Sequence, residues 1–495
     1  MNNTVKYIGE HLWCGQLGYA LIILAFVSAL TSACAYFLSS ASRTGTDDSE
    51  KWKKLGKSAF LVHIGSVFGI MILLFSMMFA EMYEYHYVWS HVSSDLSKYY
   101  IFAAFWEGQE GSFLLWIFWH SVLGLFLLRA KDNWDRDTIP FLCLIQAFLL
   151  SMILGLYIPF TEIRIGNSPF ALLRDTLNAP IFSQANYLSQ IQGNGLNVLL
   201  QNYWMTIHPP TLFLGFASCS IPFCFAMGAL RSGRHKEWLR VVQPWALFAA
   251  GILGTGILLG AAWAYEALSF NGYWAWDPVE NMSLVPWLVL LAGIHSNMIT
   301  RHTGRSLKST YWFYIAAFLL VTYSTFLTRS GILGDSSAHA FTEKGLEWHL
   351  IYFIAFFVIL SFWNYFTHNK KIPVVKTEEG IVSREFWMFI GAIVLIFSSI
   401  LITFTTSLPV YNQILDGIGS LVGKDYTSLH RAAPSDPIAH YNKFQLWTTV
   451  FMALITGFTY FLRYKQEKLS ATLLKAFWTN ISAALGAAAL ATFIT

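Results

Sequence analysis

Apolar residues fall into stretches of about 20, each closed by a polar interval, from one end of the chain to the other. Twelve stretches recur, at 17–38, 58–80, 111–128, 138–159, 209–230, 244–264, 283–300, 311–328, 349–367, 386–407, 446–462 and 474–494. About 20 apolar residues carry a helix across the hydrocarbon of a bilayer. The pattern therefore predicts an all-α fold, a polytopic integral membrane helical bundle of about 12 transmembrane helices. No repeat, low-complexity tract or separate soluble domain interrupts it, so residues 1–495 read as a single membrane domain.

The polar intervals alternate in charge. Those at 41–57, 129–137, 231–243, 301–310, 368–385 and 463–475 hold 23 of the 32 Lys and Arg. Basic residues collect on the cytoplasmic side because they resist translocation. The N-terminus and the loops 81–110, 160–208, 265–282, 329–348 and 408–445 are accordingly expected outside. The outer-face loops are long, and long loops on a rigid scaffold tend to carry function.

Composition agrees with the pattern. The chain is 55% hydrophobic and 12% charged, about half the charged share of a soluble domain. A net charge of +4 says little beyond its placement. Membrane lipid is the expected surrounding, and no nucleic acid is expected as a partner. The five cysteines form no CxxC pair and no CxxCH, so the chain is not itself a c-type cytochrome.

One outer loop is unusual. NGYWAWDPVENMSLVPW at 271–287 has two acids, three tryptophans and two prolines but no Lys or Arg. Around it Trp263, Tyr265, Tyr273, Trp274, Trp276 and Trp287 give large flat surfaces. An interfacial aromatic belt is the plain alternative, but a belt does not require WxWDPxEN. Two outer-face histidines flank the loop in sequence. His208 lies where 160–208 turns into a helix, which Pro209 and Pro210 would start. His339 lies in the loop 329–348. Haem iron accepts two axial imidazoles, so paired histidines beside stacking aromatics point to haem.

GYWAWDPVENMSLVPWL resembles the tryptophan-rich WWD signature of haem-handling proteins in cytochrome c biogenesis. FWEGQEGSFLLW at 105–116, IHPPTLFLGF at 207–216, LGAAWAYEAL at 259–268, FLTRSG at 326–331 and AHAF at 338–341 occur in order around it. Over about 60–465 the chain resembles the CcmF/NrfE family of cytochrome c haem lyase subunits. That resemblance implies cytochrome c maturation in the bacterial inner membrane, with an extracytoplasmic, periplasmic active face. Haem b is presented there to the CxxCH thiols of apocytochrome c, which add to its vinyl groups. The enzyme is a holocytochrome c synthase active in an assembly, with a haem chaperone and a thiol-reducing, apocytochrome-holding partner. His208 and His339 become the axial ligands of the transferred haem, with Trp263, Tyr273, Trp274, Trp276, Asp277 and Trp287 shaping its platform.

The acids of the loop have a plainer role open to them. Thioether formation asks for no strong acid or base there, and Asp277 or Asn281 suits a helix cap; no acid/base catalyst is assigned. Arg329 is a candidate partner for a haem propionate, with snorkelling to lipid phosphate as the alternative. His295, within the seventh stretch, is an intramembrane ionisable group. The resemblance makes it a ligand of a possible second, membrane-embedded b-type haem whose other histidine lies on a late helix near a large outer domain. That domain and the last helices are not found up to Thr495, and no histidine follows His440. Either the chain is shortened or another polypeptide supplies the ligand; His63 and His120 are weaker substitutes. The alternative function is haem export, or delivery to a chaperone without ligation. A solute transporter is disfavoured by the scarcity of charge within the apolar stretches and the lack of paired broken helices.

Overall fold

The computed structural model describes residues 6–41, 45–158, 160–161, 164–267, 272–333, 345–375, 380–466, 468 and 470–494. It is a helical membrane bundle whose only ladder among these residues is a two-residue antiparallel pairing, Leu156–Tyr157 with Arg164–Ile165. Each predicted apolar stretch lies on a helix for most of its length, although 138–159 leaves its helix at Ser151 and runs into the Leu156–Tyr157 strand. The helices are α1 (Leu12–Ala41), α2 (Asp47–Phe79), α5 (Gln109–Leu127), α6 (Trp134–Ser151), α8 (Tyr203–Ser232) and α9 (Trp238–Ala267). They continue with α10 (Pro278–Thr303), α11 (Leu307–Arg329), α12 (Glu347–His368), α13 (Arg384–Thr406), α15 (Pro437–Phe461) and α16 (Ala471–Ile494). Among the described residues, ten are long and apolar enough to cross a membrane; α6 and α16 are not among them. α6 has 18 residues, with Pro140 inside and Asp135 and Asp137 in its first turn.

Four short helices fall in predicted loops: α3 (His86–His91), α4 (Ile101–Glu107), α7 (Leu173–Thr176) and α14 (Leu408–Val422). α14 is amphipathic, with Tyr411, Ile414, Ile418 and Leu421 exposed. Its polar side is held by its own chain, His430 meeting Asp416 at 2.9 Å and the Asn412 side chain donating to the Arg431 carbonyl and accepting from the Arg431 N–H. All twelve helices begin ahead of their apolar stretches, and side-chain caps account for two of these starts near the aromatic loop. α8 starts at Tyr203, six residues ahead of Pro209, because the Asn202 side chain caps it by accepting from the Trp204 N–H at 2.9 Å. α15 starts at Pro437 behind the Asp436 cap. Caps terminate helices according to backbone need, and that need does not follow the edge of the hydrocarbon.

Helix order in space follows from which faces are apolar or small. α1 packs on α2 and α6, and α8 on α9, α5, α6 and α11. α10 lies against α9, α11 and α13, and α13 against α15. The α8–α9 contact is close enough to need glycine. A Cβ on Gly256 would sit 2.8 Å from the Leu212 Cα, and one on Gly260 would sit 2.7 Å from the His208 ring. Small residues let helix backbones approach in lipid, where apolar burial gives no drive. This approach holds His208 against α9.

Candidate haem-binding site

His208 sits in the second turn of α8, within the helix. Pro209 has no N–H for the Met205 carbonyl, and the Trp106 indole at the end of α4 donates to that carbonyl instead, at 2.9 Å. The freed backbone group is thus paired by a residue of the FWEGQEGSFLLW stretch. The His208 Nδ1 bonds the Gly256 carbonyl at 2.9 Å. A carbonyl only accepts, so Nδ1 carries the proton and Nε2 the lone pair, the tautomer that ligates a metal. The Trp263 ring lies parallel to the imidazole, 11° between planes and 6.5 Å between centroids.

Between them and α10 is a cavity of about 60 Å³ lined by His208, Trp263, Trp274, Val279 and Glu280, among others. It adjoins a second of about 100 Å³ through Leu212, Val279 and Ser283, where Ser112, Thr325, Thr328 and Arg329 form the far wall. His208, Trp263 and Trp274 therefore line one cavity and Arg329 its neighbour, with Leu212, Val279 and Ser283 as the shared wall. The volume holds a few water molecules, so a porphyrin would lie across the opening instead of inside it. The donor set suits haem: a neutral imidazole, flat indole faces, and a buried Trp274 Nε1 with no hydrogen-bond partner among the described residues.

The loop itself is built by a capping box. Asp277 caps α10, its carboxylate accepting from the Val279 N–H at 2.9 Å, with Pro278 in the first turn. Glu280 accepts from the N–H groups of Ala275 and Asp277, both at 3.0 Å. The acids are thus engaged with backbone. Trp276 has φ 57°, a left-handed conformation costly for a bulky residue. Asn281 holds it by donating to its carbonyl at 3.0 Å.

The two tryptophans of WAWD part company here. Trp274 faces His208, whereas the Trp276 indole stacks on Tyr441 of α15, 5.0 Å away and 20° off parallel, and donates to Asn442 at 2.9 Å. Trp287 is an interhelix tie, its Nε1 donating to the Ala250 carbonyl of α9 at 2.8 Å. Tyr273 stacks on Tyr265 at 4.3 Å, both exposed. Arg329, the last residue of α11, is buried. His339 lies outside the described residues, as does 268–271 of the loop.

His295 is in a separate cavity, of about 200 Å³, between α10, α13 and α15. Its Nδ1 donates to the Leu291 carbonyl at 2.9 Å, leaving Nε2 in the same lone-pair state as in His208. His63 and His120 do not line this cavity; His63 donates to the Ala25 carbonyl of α1 at 3.0 Å. Sequence reasoning missed Trp106 and Arg384. Pro209 was the signal for the first, since it announces an orphaned carbonyl. The second lines the His295 cavity, and no sequence signal marks it.

Residues 106–333 match the family described as Cytochrome C assembly protein. The chain is also 32% identical over 426 residues to the cytochrome c-type biogenesis protein CcmF of Pseudomonas aeruginosa, covering 83% of this chain and 59% of that one. The chain belongs to the CcmF/NrfE type of cytochrome c-type biogenesis protein. CcmF of Escherichia coli is 29% identical over 470 residues, 93% of this chain and 64% of its own length. NrfE of Haemophilus influenzae is 28% identical over 396 residues, 79% and 57%. A solved structure titled Cytochrome c Heme Lyase CcmF superposes with a TM-score of 0.67 at 22% identity, covering 92% of this chain and 63% of that one, which shows the fold. The chain thus spans less than two thirds of the length of these relatives.

Proposed function

We propose that the chain binds haem b at the outer membrane face and serves its covalent attachment to apocytochrome c, as part of a haem lyase assembly in the bacterial inner membrane. The observation that carries this is the His208 imidazole, fixed by Gly256 as the metal-ligating tautomer and facing Trp263 and Trp274 across one cavity. His339 would be a second histidine ligand of the same iron. Trp274 and Trp263 give the macrocycle a flat apolar seat, and Arg329 the positive charge for a propionate. Asp277 and Glu280 act by holding the loop, and Trp276 by anchoring it to α15.

In the reaction each CxxCH thiol adds its sulfur and hydrogen across one haem vinyl group. One carbon–carbon π bond and one S–H bond are lost, and a C–S and a C–H bond form. No external acid is consumed, which fits a loop whose carboxylates are occupied by backbone. A haem chaperone delivers the haem, and a thiol-reducing, apocytochrome-holding partner presents reduced cysteines. His295 is proposed to ligate a second, b-type haem within the membrane, which, bound and reduced by an external donor, would keep the transferred iron reduced.

Absorption spectra of detergent-purified protein, oxidised and dithionite-reduced, test this, with haem counted by pyridine haemochrome. His208→Ala and His339→Ala should each remove or weaken one haem population, and His295→Ala a different one. Equal spectra from all four proteins would sink the reading. Incubation with a CxxCH apocytochrome and its reductant separates ligation from export or chaperone loading, because only ligation yields haem that resists acid acetone.

A further inference from the structure

The His295 cavity has one feature that the imidazole does not explain. Arg384, the first residue of α13, lines it together with Met298, Trp387, Met388 and Met452. Its Nε is buried without a hydrogen-bond partner, and its guanidinium makes no ion pair among the described residues. The guanidinium lies over the face of Tyr464, 5.3 Å from the ring centroid. Arg384 is half-buried and only its Nε is fully enclosed; leaving that donor unpaired is costly, so an acceptor is the physical expectation.

The neighbouring charges are already committed elsewhere. Glu385, fully buried, accepts from the Lys465 N–H with both oxygens at 3.0 Å and faces Arg305 at 3.8 Å. His302 stacks on the same Tyr464 ring, at 4.3 Å. Arg384 also stands in the first turn of α13, where the helix dipole adds positive potential. From His295 to the inner end of α10 is roughly 12 Å of helix. The cavity therefore has a metal-ligating imidazole partway along its α10 wall, soft apolar walls, and a positive, donor-rich inner end.

We propose that Arg384 binds a carboxylate of the apolar ligand held by His295, orienting that ligand with its acidic edge towards the inner face. This rests on the reading that His295 ligates a haem, whose propionates would be the carboxylates. Guanidinium pairs bidentately with such a group, which a lysine cannot reproduce. Arg384 is a positioning residue in this scheme.

The test uses the full chain in detergent, as wild type, Arg384→Gln, Arg384→Lys and His295→Ala. Haem loss is followed spectrally on adding an excess of a haem-scavenging apoprotein, and bound phospholipid is extracted and counted. For the His295-dependent haem, Arg384→Gln should release it roughly ten- to a hundredfold faster, the range for one charge-assisted bond. Arg384→Lys should fall between. An unchanged rate in Arg384→Gln overturns the proposal and makes Arg384 an ordinary interfacial cation. Loss of an anionic phospholipid from Arg384→Gln with haem unaltered also overturns it, the oxyanion then being a lipid headgroup. If His295→Ala retains all the haem of wild type, the reading of the cavity fails first, and the proposal with it. Should Arg384→Gln fail to fold, the Lys variant carries the comparison.

Discussion

Trp106 and Asp277 act on the site through hydrogen bonds to backbone, and both roles have measurable consequences. Replacing Trp106 by Phe leaves the part-buried Met205 carbonyl without its donor, a penalty of about 1 kcal/mol. The expected result is a lower thermal midpoint and a weakened His208-dependent haem signal, with the His295-dependent signal kept. Asp277→Asn preserves an oxygen for the Val279 N–H and should keep both stability and haem. Asp277→Ala should lose about 1 kcal/mol. If Asn abolishes haem binding while leaving the melting curve intact, the carboxylate has a chemical role after all.

At the scale of elements, the α8–α9 contact decides where the ligand stands. A Cβ at residue 260 would press within 2.7 Å of the imidazole, so Gly260→Ala should displace His208 and lower its haem occupancy several-fold. Gly254→Ala meets only the Trp287 indole at 3.0 Å and should be milder; equal loss in both would point to general helix separation. Haem stoichiometry of the two variants decides. The helices were legible because a span must be apolar for its whole length, and the Asp277 cap because Asp-Pro before an apolar run is a local signal. The parting of Trp274 and Trp276 was not legible. It depends on a left-handed φ at residue 276 and on Tyr441 and Asn442, more than 160 residues away. α14 was hidden for another reason: its 15 residues are too few and too amphipathic to read as a span.

For the whole molecule, the loops at the His208 end of the bundle behave as a packed layer. The segment before α1 is tied to the loop 160–202 by Glu10, which accepts from Arg174 and from the Tyr187 hydroxyl, each at 2.8 Å. It is tied to 81–85 through His11 and the buried Glu84. In that layer His91 is buried against Gly108, and burial pushes its pKa down to about 4 although its bond to the Tyr87 carbonyl opposes this. Unfolding restores the ordinary value near 6.5. Between about pH 6.5 and 4 the unfolded chain therefore binds a proton that the folded chain refuses, and stability falls as pH falls. Thermal midpoints should drop across that window in wild type and drop less in His91→Gln; identical slopes would remove His91 from the account.

Two of the prolines at the site, Pro209 and Pro286, free a carbonyl one turn back that another helix then serves. Trp106 serves the Met205 carbonyl, and Ser324 of α11 serves the Met282 carbonyl that Pro286 leaves open. These repairs differ in their order along the ribosome's product. Trp106 is synthesised about a hundred residues before the carbonyl it serves, so the outer turn of α8 can close as it emerges. Ser324 comes 42 residues after Met282, so the outer turn of α10 waits, with its polar group open, until α11 arrives beside it. The aromatic loop sits on that waiting turn. A nascent chain that lacks α11 should therefore have the Met205 carbonyl already served and the Met282 carbonyl still open beneath the aromatic loop.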